Sequence, residues 1–184
     1  MEVKGIAVKS LKEYVETHFP DGYSSWFDSL PEESKLIFSD AIISTEWYNA
    51  KYGISVPTGN LAMFCNGDAE KAAFKAGYEG ATDALTGVYK FFVQISSPFF
   101  IINRANVIFK NYYQPSEMIS EKLSKTKVKV IISKFDETDI VIEGRIMGWI
   151  QRALELSGCK NVVVSRIASV TEGNPVTELI LTWD

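Results

Sequence analysis

MISEKL (118–123) and VKVIISKF (128–135) read as two strands joined by the polar turn Ser124-Lys125-Thr126. A helical pattern follows from about Thr138 to Leu156, with Ile146, Ile150, Ala153 and Leu154 on one face. Ser157-Gly158 terminates it. VVVSRIASV (162–170) and ELILTW (178–183) are the last two strands, separated by Thr171-Glu172-Gly173-Asn174-Pro175. Upstream of Pro115 the patterns are helical. Helices followed by strand-strand-helix-strand-strand indicate an α+β fold. The expectation is one domain over residues 1–184, with an N-terminal multi-helix lobe (1–114) and an antiparallel sheet lobe (115–184).

The helical lobe opens on Val8, Leu11, Tyr14, Val15, His18 and Phe19 at helical spacing, stopped by Pro20-Asp21-Gly22. Short helices are expected over about Tyr23–Leu30, from Pro31, and from Ser55-Val56-Pro57. Asp68 then caps the most informative segment. Ala69, Ala72, Ala73, Ala76, Gly77, Gly80, Ala81 and Ala84 form one stripe of small residues along about four helical turns. Glycine inside a helix costs about 1 kcal/mol against alanine, so two on the stripe imply a close approach by another helix. Phe74, Tyr78, Leu85, Tyr89 and Phe92 run beside it. Ser97-Pro98 opens a further helix to about Tyr112, apolar nearly all round, the pattern of a buried helix.

A chain of 184 residues, 46% apolar, buries a core without a disulfide or metal staple. Cys65 and Cys159 lack a partner-type spacing and point to a reducing compartment. With 19 basic and 23 acidic residues the net charge is −4, which argues against nucleic acid as a partner. The densest basic run, Lys122, Lys125, Lys127 and Lys129, falls on the first hairpin and reads as protection of a strand edge. No signal peptide or membrane-spanning run is evident, so a cytoplasmic location is expected.

Chemistry is scarce. The one histidine, His18, has no acidic or serine partner close in sequence, and no Gly-x-Ser-x-Gly elbow supplies a nucleophile. Neither zinc nor calcium spacing occurs. Asp136, Glu137 and Asp139 read as a turn and a helix cap. The glycines at 77, 80 and 87 lie in a helical pattern and not in a phosphate loop. The expectation is therefore no catalytic site, no metal and no enzyme. Only Glu143, Arg145 and Asp139 form a local polar cluster.

The run IEGRIMGWIQRALELSGCKNVVV (142–164) resembles the haem-nitric-oxide-binding (H-NOX) domains and their relatives in nitric-oxide signalling and Golgi transport. Those relatives are the 4-vinyl-reductase-type domains and the transport-particle subunits. Gly144, Gly148, Gly158, Val162–Val164, Gly173 and Leu179–Trp183 carry the likeness. Val3 to Phe19 is similar to the opening of H-NOX domains and of an uncharacterised myxobacterial paralogous family, which Ser97 to Arg104 also resembles. The resemblance implies the H-NOX fold, a ligand-binding or sensory role, and haem. Its haem-binding members use a histidine on the helix before the sheet, and here that helix has none. Their Tyr-x-Ser-x-Arg motif would fall on Val141–Arg145, where only Arg145 remains and Glu143 would repel a carboxylate. Haem is accordingly not expected as a cofactor.

The resulting expectation is a non-enzymatic module holding an apolar small molecule where the two lobes meet. Phe92, Phe99, Ile102, Phe109 and Trp149 would line the pocket, with Arg145 as a polar anchor. The alternative is a protein-interaction or dimerisation module with a filled core, serving a homodimer or a signalling partner.

Overall fold

The computed structural model describes residues 1–86, 97–135 and 137–184. Strand β1 (Glu2–Lys4) leads into α1 (Gly5–His18), followed by α2 (Tyr23–Asp28) and α3 (Glu32–Ser39). Then come β2 (Trp47–Asn49), a π-type turn (Lys51–Ser55), α4 (Val56–Gly59), a 3₁₀ turn (Asn60–Phe64) and α5 (Ala69–Thr86). Next are α6 (Pro98–Phe109), β3 (Tyr113–Gln114), β4 (Glu117–Lys122) and β5 (Lys127–Ser133). Helix α7 (Ile140–Leu156), β6 (Val163–Ala168), a 3₁₀ turn (Val170–Glu172) and β7 (Thr177–Thr182) complete the chain.

The larger sheet is antiparallel in the order β4-β5-β7-β6. Its period-2 alternation sorts the side chains. Val128, Val130 and Ile132 of β5 and Leu179 and Leu181 of β7 are buried, with Val128 opposite Leu181 and Val130 opposite Leu179. Ile142, Ile146, Ile150 and Leu154 of α7 belong to the same core, which also includes Val8, Leu11 and Trp26 of the helical lobe. Trp26 is fully buried, and its Nε1 donates to the Pro57 carbonyl at 2.8 Å. One core therefore runs through both lobes.

Helix α7 is covered on both sides. The stripe of small residues on α5 packs against it so closely that a Cβ at Gly77 would lie 2.0 Å from the Arg145 carbonyl oxygen. A Cβ at Gly148 would lie 2.0 Å from the Phe74 carbonyl oxygen. Asp139 caps α7, accepting from the Ile142 amide at 2.9 Å and from the Ser55 hydroxyl. Asp139→Ala is expected to lower stability by about 1 kcal/mol in urea denaturation.

Three features depart from the sequence reading. A second sheet, ordered β2-β1-β3, pairs Val3 with both Tyr48 and Tyr113, in strands too short to show a period. Helix α6 is not buried all round: Ile102 and Phe109 are, while Phe100 and Val107 are each 58% exposed. Of the hairpin lysines, only Lys122 lies on edge strand β4. Lys127 and Lys129 belong to inner strand β5, and Lys129 pairs with Glu121 and Glu178. Gly87, Tyr89, Phe91, Phe92 and Asp136 lie outside the described residues.

Candidate functional site

Helices α1, α5, α6 and α7 line a solvent-open cavity of about 360 Å³ where the helical and sheet lobes meet. Residues three and four apart on each helix share a face and build its walls. Ala7 and Ser10 come from α1, Gly77 and Gly80 from α5, Ile108 and Phe109 from α6, and Arg145, Ile146, Trp149 and Ile150 from α7. Met118 of β4 and Tyr113 of β3 add to the wall, and the exposed residues Lys9, Glu13 and Asp83 also border the cavity. The lining is mainly aliphatic and aromatic, the usual make-up of a small-molecule site, with Lys9, Ser10, Glu13, Ser44, Asp83 and Arg145 as its polar members. Gly77 has a double role: it lets the α7 backbone approach and also contributes to the cavity wall.

Arg145 is the exceptional group. Its residue is 7% exposed, and Nη1 has no hydrogen-bond partner among the described residues. The Tyr113 and Tyr14 side chains lie near enough for their charge states to couple to the guanidinium. Burial lowers the guanidinium's pKa, yet arginine remains protonated at any ordinary pH. A buried cation without an anionic partner costs several kcal/mol in desolvation.

The neighbouring tyrosines are held neutral. Burial pushes Tyr14 up to about 12, aided by Cys65 and Glu79 and opposed by Arg145. Burial likewise raises Tyr113, against the pull of Arg145. A raised folded-state pKa contributes stability in full below the ordinary tyrosine value near 10, lost as pH rises through the folded value. In an alkaline absorbance titration at about 295 nm, Tyr14 is expected to ionise near pH 12, with stability falling from about pH 10 upward. Tyr14→Phe removes that late step.

Among the residues expected from the sequence, Phe109, Arg145 and Trp149 line the cavity. Ile102 borders a separate gap of about 10 Å³ beside Met118, Val130 and Trp149. Phe99 turns to the sheet, edge-on to Trp183 at 5.8 Å, with the Lys122 ammonium 4.0 Å from its ring centroid. Phe92 lies outside the described residues. That α1 would reach the cavity had no sequence signal, and neither did the small sheet that places Tyr113.

Glu143, Arg145 and Asp139 do not converge. Asp139 caps α7. Glu143 is fully buried at the joint with the sheet, accepting from Ser169 Oγ at 2.8 and 2.9 Å and from the Thr177 hydroxyl. It therefore cannot repel a carboxylate in the cavity, contrary to the sequence expectation. His18 is exposed at the end of α1, its ring 4.5 Å from that of Tyr14 and away from the cavity wall.

No protein-family model matches the sequence, and the curated proteins give no match. Solved structures do. The H-NOX protein from S. oneidensis in the Fe(II)NO ligation state is 14% identical, with a TM-score of 0.71 over 98% of this chain and 99% of that one. The Fe(II) unliganded H-NOX protein from K. algicida is 11% identical, with a TM-score of 0.68 over 98% and 96%. At these identities the likeness is one of fold: the chain adopts an H-NOX-like α+β fold. No helix among the described residues is long and apolar enough to cross a membrane.

Proposed function

We propose that the chain is a non-enzymatic small-molecule-binding module of the sensory kind, holding an apolar ligand between α1, α5, α6 and α7. The observation that carries this reading is the apolar cavity of about 360 Å³ with a buried, incompletely satisfied Arg145 on its wall. Apolar surface removed from water on both ligand and cavity supplies the affinity.

The residues present do not fit haem held as the resemblance implies. Helix α6 carries no histidine, and His18 lies outside the cavity wall. The reading is therefore of an H-NOX-like fold put to haem-independent use. A sensory role also needs an element that feels occupancy and shows it outside. Helix α6 joins the two, with Phe109 on the cavity and Phe100 and Val107 facing solvent. For the alternative, an interaction module with a filled core, the small-residue stripe offers no free docking surface at Gly77, where it is packed on α7.

Native and denatured mass spectra of the purified protein, with an absorbance scan, test the proposal. An added mass that disappears on denaturation is expected, with no Soret band after incubation with haemin. A stoichiometric Soret band overturns the haem-independent reading. A bare chain mass, unchanged by added decanol, overturns the ligand-binding one.

A further inference from the structure

We propose that the hairpin end of the larger sheet is a docking surface for an anionic phospholipid membrane, separate from the cavity.

Strand register assembles the patch. Lys127 stands opposite Thr182, Thr182 opposite Val163, and the Leu123 amide donates to the Lys127 carbonyl at 3.0 Å. These residues form one row across the ends of β4, β5, β7 and β6. Val128, Leu181 and Val164 beside them face the core, so Lys127, Thr182 and Val163 face outward. Leu123 is 43% exposed and Val163 52%. The Trp183 amide donates to the Thr126 carbonyl and the Asp184 amide to the Lys160 carbonyl. Those two bonds bring the turn carrying Lys125 and the loop carrying Lys160 to the same end. The first turn of α6 reaches it too, since Phe99 packs on Trp183 under the Lys122 ammonium, and Phe100 is exposed.

Charge selects the occupant. Lys129, one rung further in, is paired with Glu121 and Glu178. Lys125, Lys127 and Lys160 form no ion pair among the described residues, and Lys122 rests on the Phe99 ring. Asp184, whose carboxylate accepts from Asn161 at 2.6 Å, is the acidic side chain set among them. Positive charge is thus in surplus at this end of a chain whose net charge is −4. Edge protection does not account for it, because Lys127 lies on an inner strand and Lys125 and Lys160 on loops. Lysines around exposed aliphatic residues suit a membrane better than an acidic peptide. Flexible stems let the ammonium groups follow phosphate head groups, while Leu123 and Val163 leave water for the acyl boundary.

Sedimentation of the full chain with lipid vesicles tests the assignment. Binding is expected to vesicles containing phosphatidylserine and not to pure phosphatidylcholine, and it is expected to weaken as salt rises. One lysine near an anionic surface strengthens binding about fivefold, so Lys125→Gln with Lys127→Gln is expected to weaken it about twenty-five-fold. Lys71→Gln with Lys75→Gln, at exposed positions of α5, is expected to bind as wild type does. Equal binding to both kinds of vesicle, or binding to neither, overturns the proposal. So does a double variant at 125 and 127 that binds no more weakly than the one at 71 and 75. Binding to a polyglutamate peptide without binding to vesicles overturns the lipid assignment in favour of an acidic protein partner.

Discussion

Gly148→Val is expected to leave the chain unfolded or to cost at least about 4 kcal/mol, among the largest losses a single substitution produces. The Cβ alone would sit 2.0 Å from the Phe74 carbonyl oxygen and 3.0 Å from the Tyr78 amide nitrogen. Both are backbone atoms of α5, so no side chain can swing aside. The helices must part, and the core beneath loses dispersion contacts along their length. Gly77→Val acts in the same way from the other side, against the Arg145 carbonyl. Gly67→Ala is the control: its φ is +82°, nothing lies within 4 Å of the added Cβ, and only the left-handed backbone penalty of about 1–2 kcal/mol applies. Thermal melts followed by circular dichroism measure all three. A Gly148→Val protein within about 1 kcal/mol of wild type would disprove the close packing of α5 on α7.

Glu143→Ala carries the second large effect, an expected loss of about 3–5 kcal/mol. The Glu143 carboxylate accepts from Ser169 and Thr177 and lies 3.4 Å from Arg166 Nη1, while Arg166 Nη2 reaches Glu70 at 2.9 Å. One arginine on β6 thus ties α5 and α7 to the sheet. Deleting the carboxylate strands two hydroxyls and half of a guanidinium in a dry joint. Glu143→Gln keeps the shape and one acceptor oxygen, so it is expected to cost less. Urea denaturation of both variants gives the comparison. Equal losses for the two would mean that packing, and not the hydrogen-bonded charge, holds the joint.

The α+β order was legible because its signals are long and periodic. Hydrophobic alternation located β4, β5, β6 and β7 to within about two residues, and the cap at Asp139 opened α7 where Asp139 accepts from Ile142. The small-residue stripe announced a close helix neighbour but not which one, because a stripe states how near its partner comes and carries no address. That partner proved to be α7, with its own glycines at 144 and 148. Apolar composition misled at α6, where Phe100 and Val107 face solvent despite a pattern that reads as buried. The site was half legible. Phe109, Arg145 and Trp149 belong to long helices whose faces can be read from spacing. Tyr113 reaches the cavity through a two-residue strand, and Ala7 and Ser10 through the crossing of α1 over α5, neither of which leaves a local pattern. Glu143 shows the same limit, since a one-dimensional motif placed it beside Arg145 while the helix turns the two toward different neighbours.

The central claim, that an apolar ligand occupies the cavity between the lobes, is tested most directly by methyl NMR. Isoleucine and methionine methyls of the full chain are labelled, and decanol is added. The account predicts shift changes at Ile108, Ile146, Ile150 and Met118, which line the cavity. The methyls of Ile131 and Ile180, on the opposite face of the sheet from the core, are predicted to stay in place. Unmoved cavity methyls, or changes confined to Ile131 and Ile180, would contradict it.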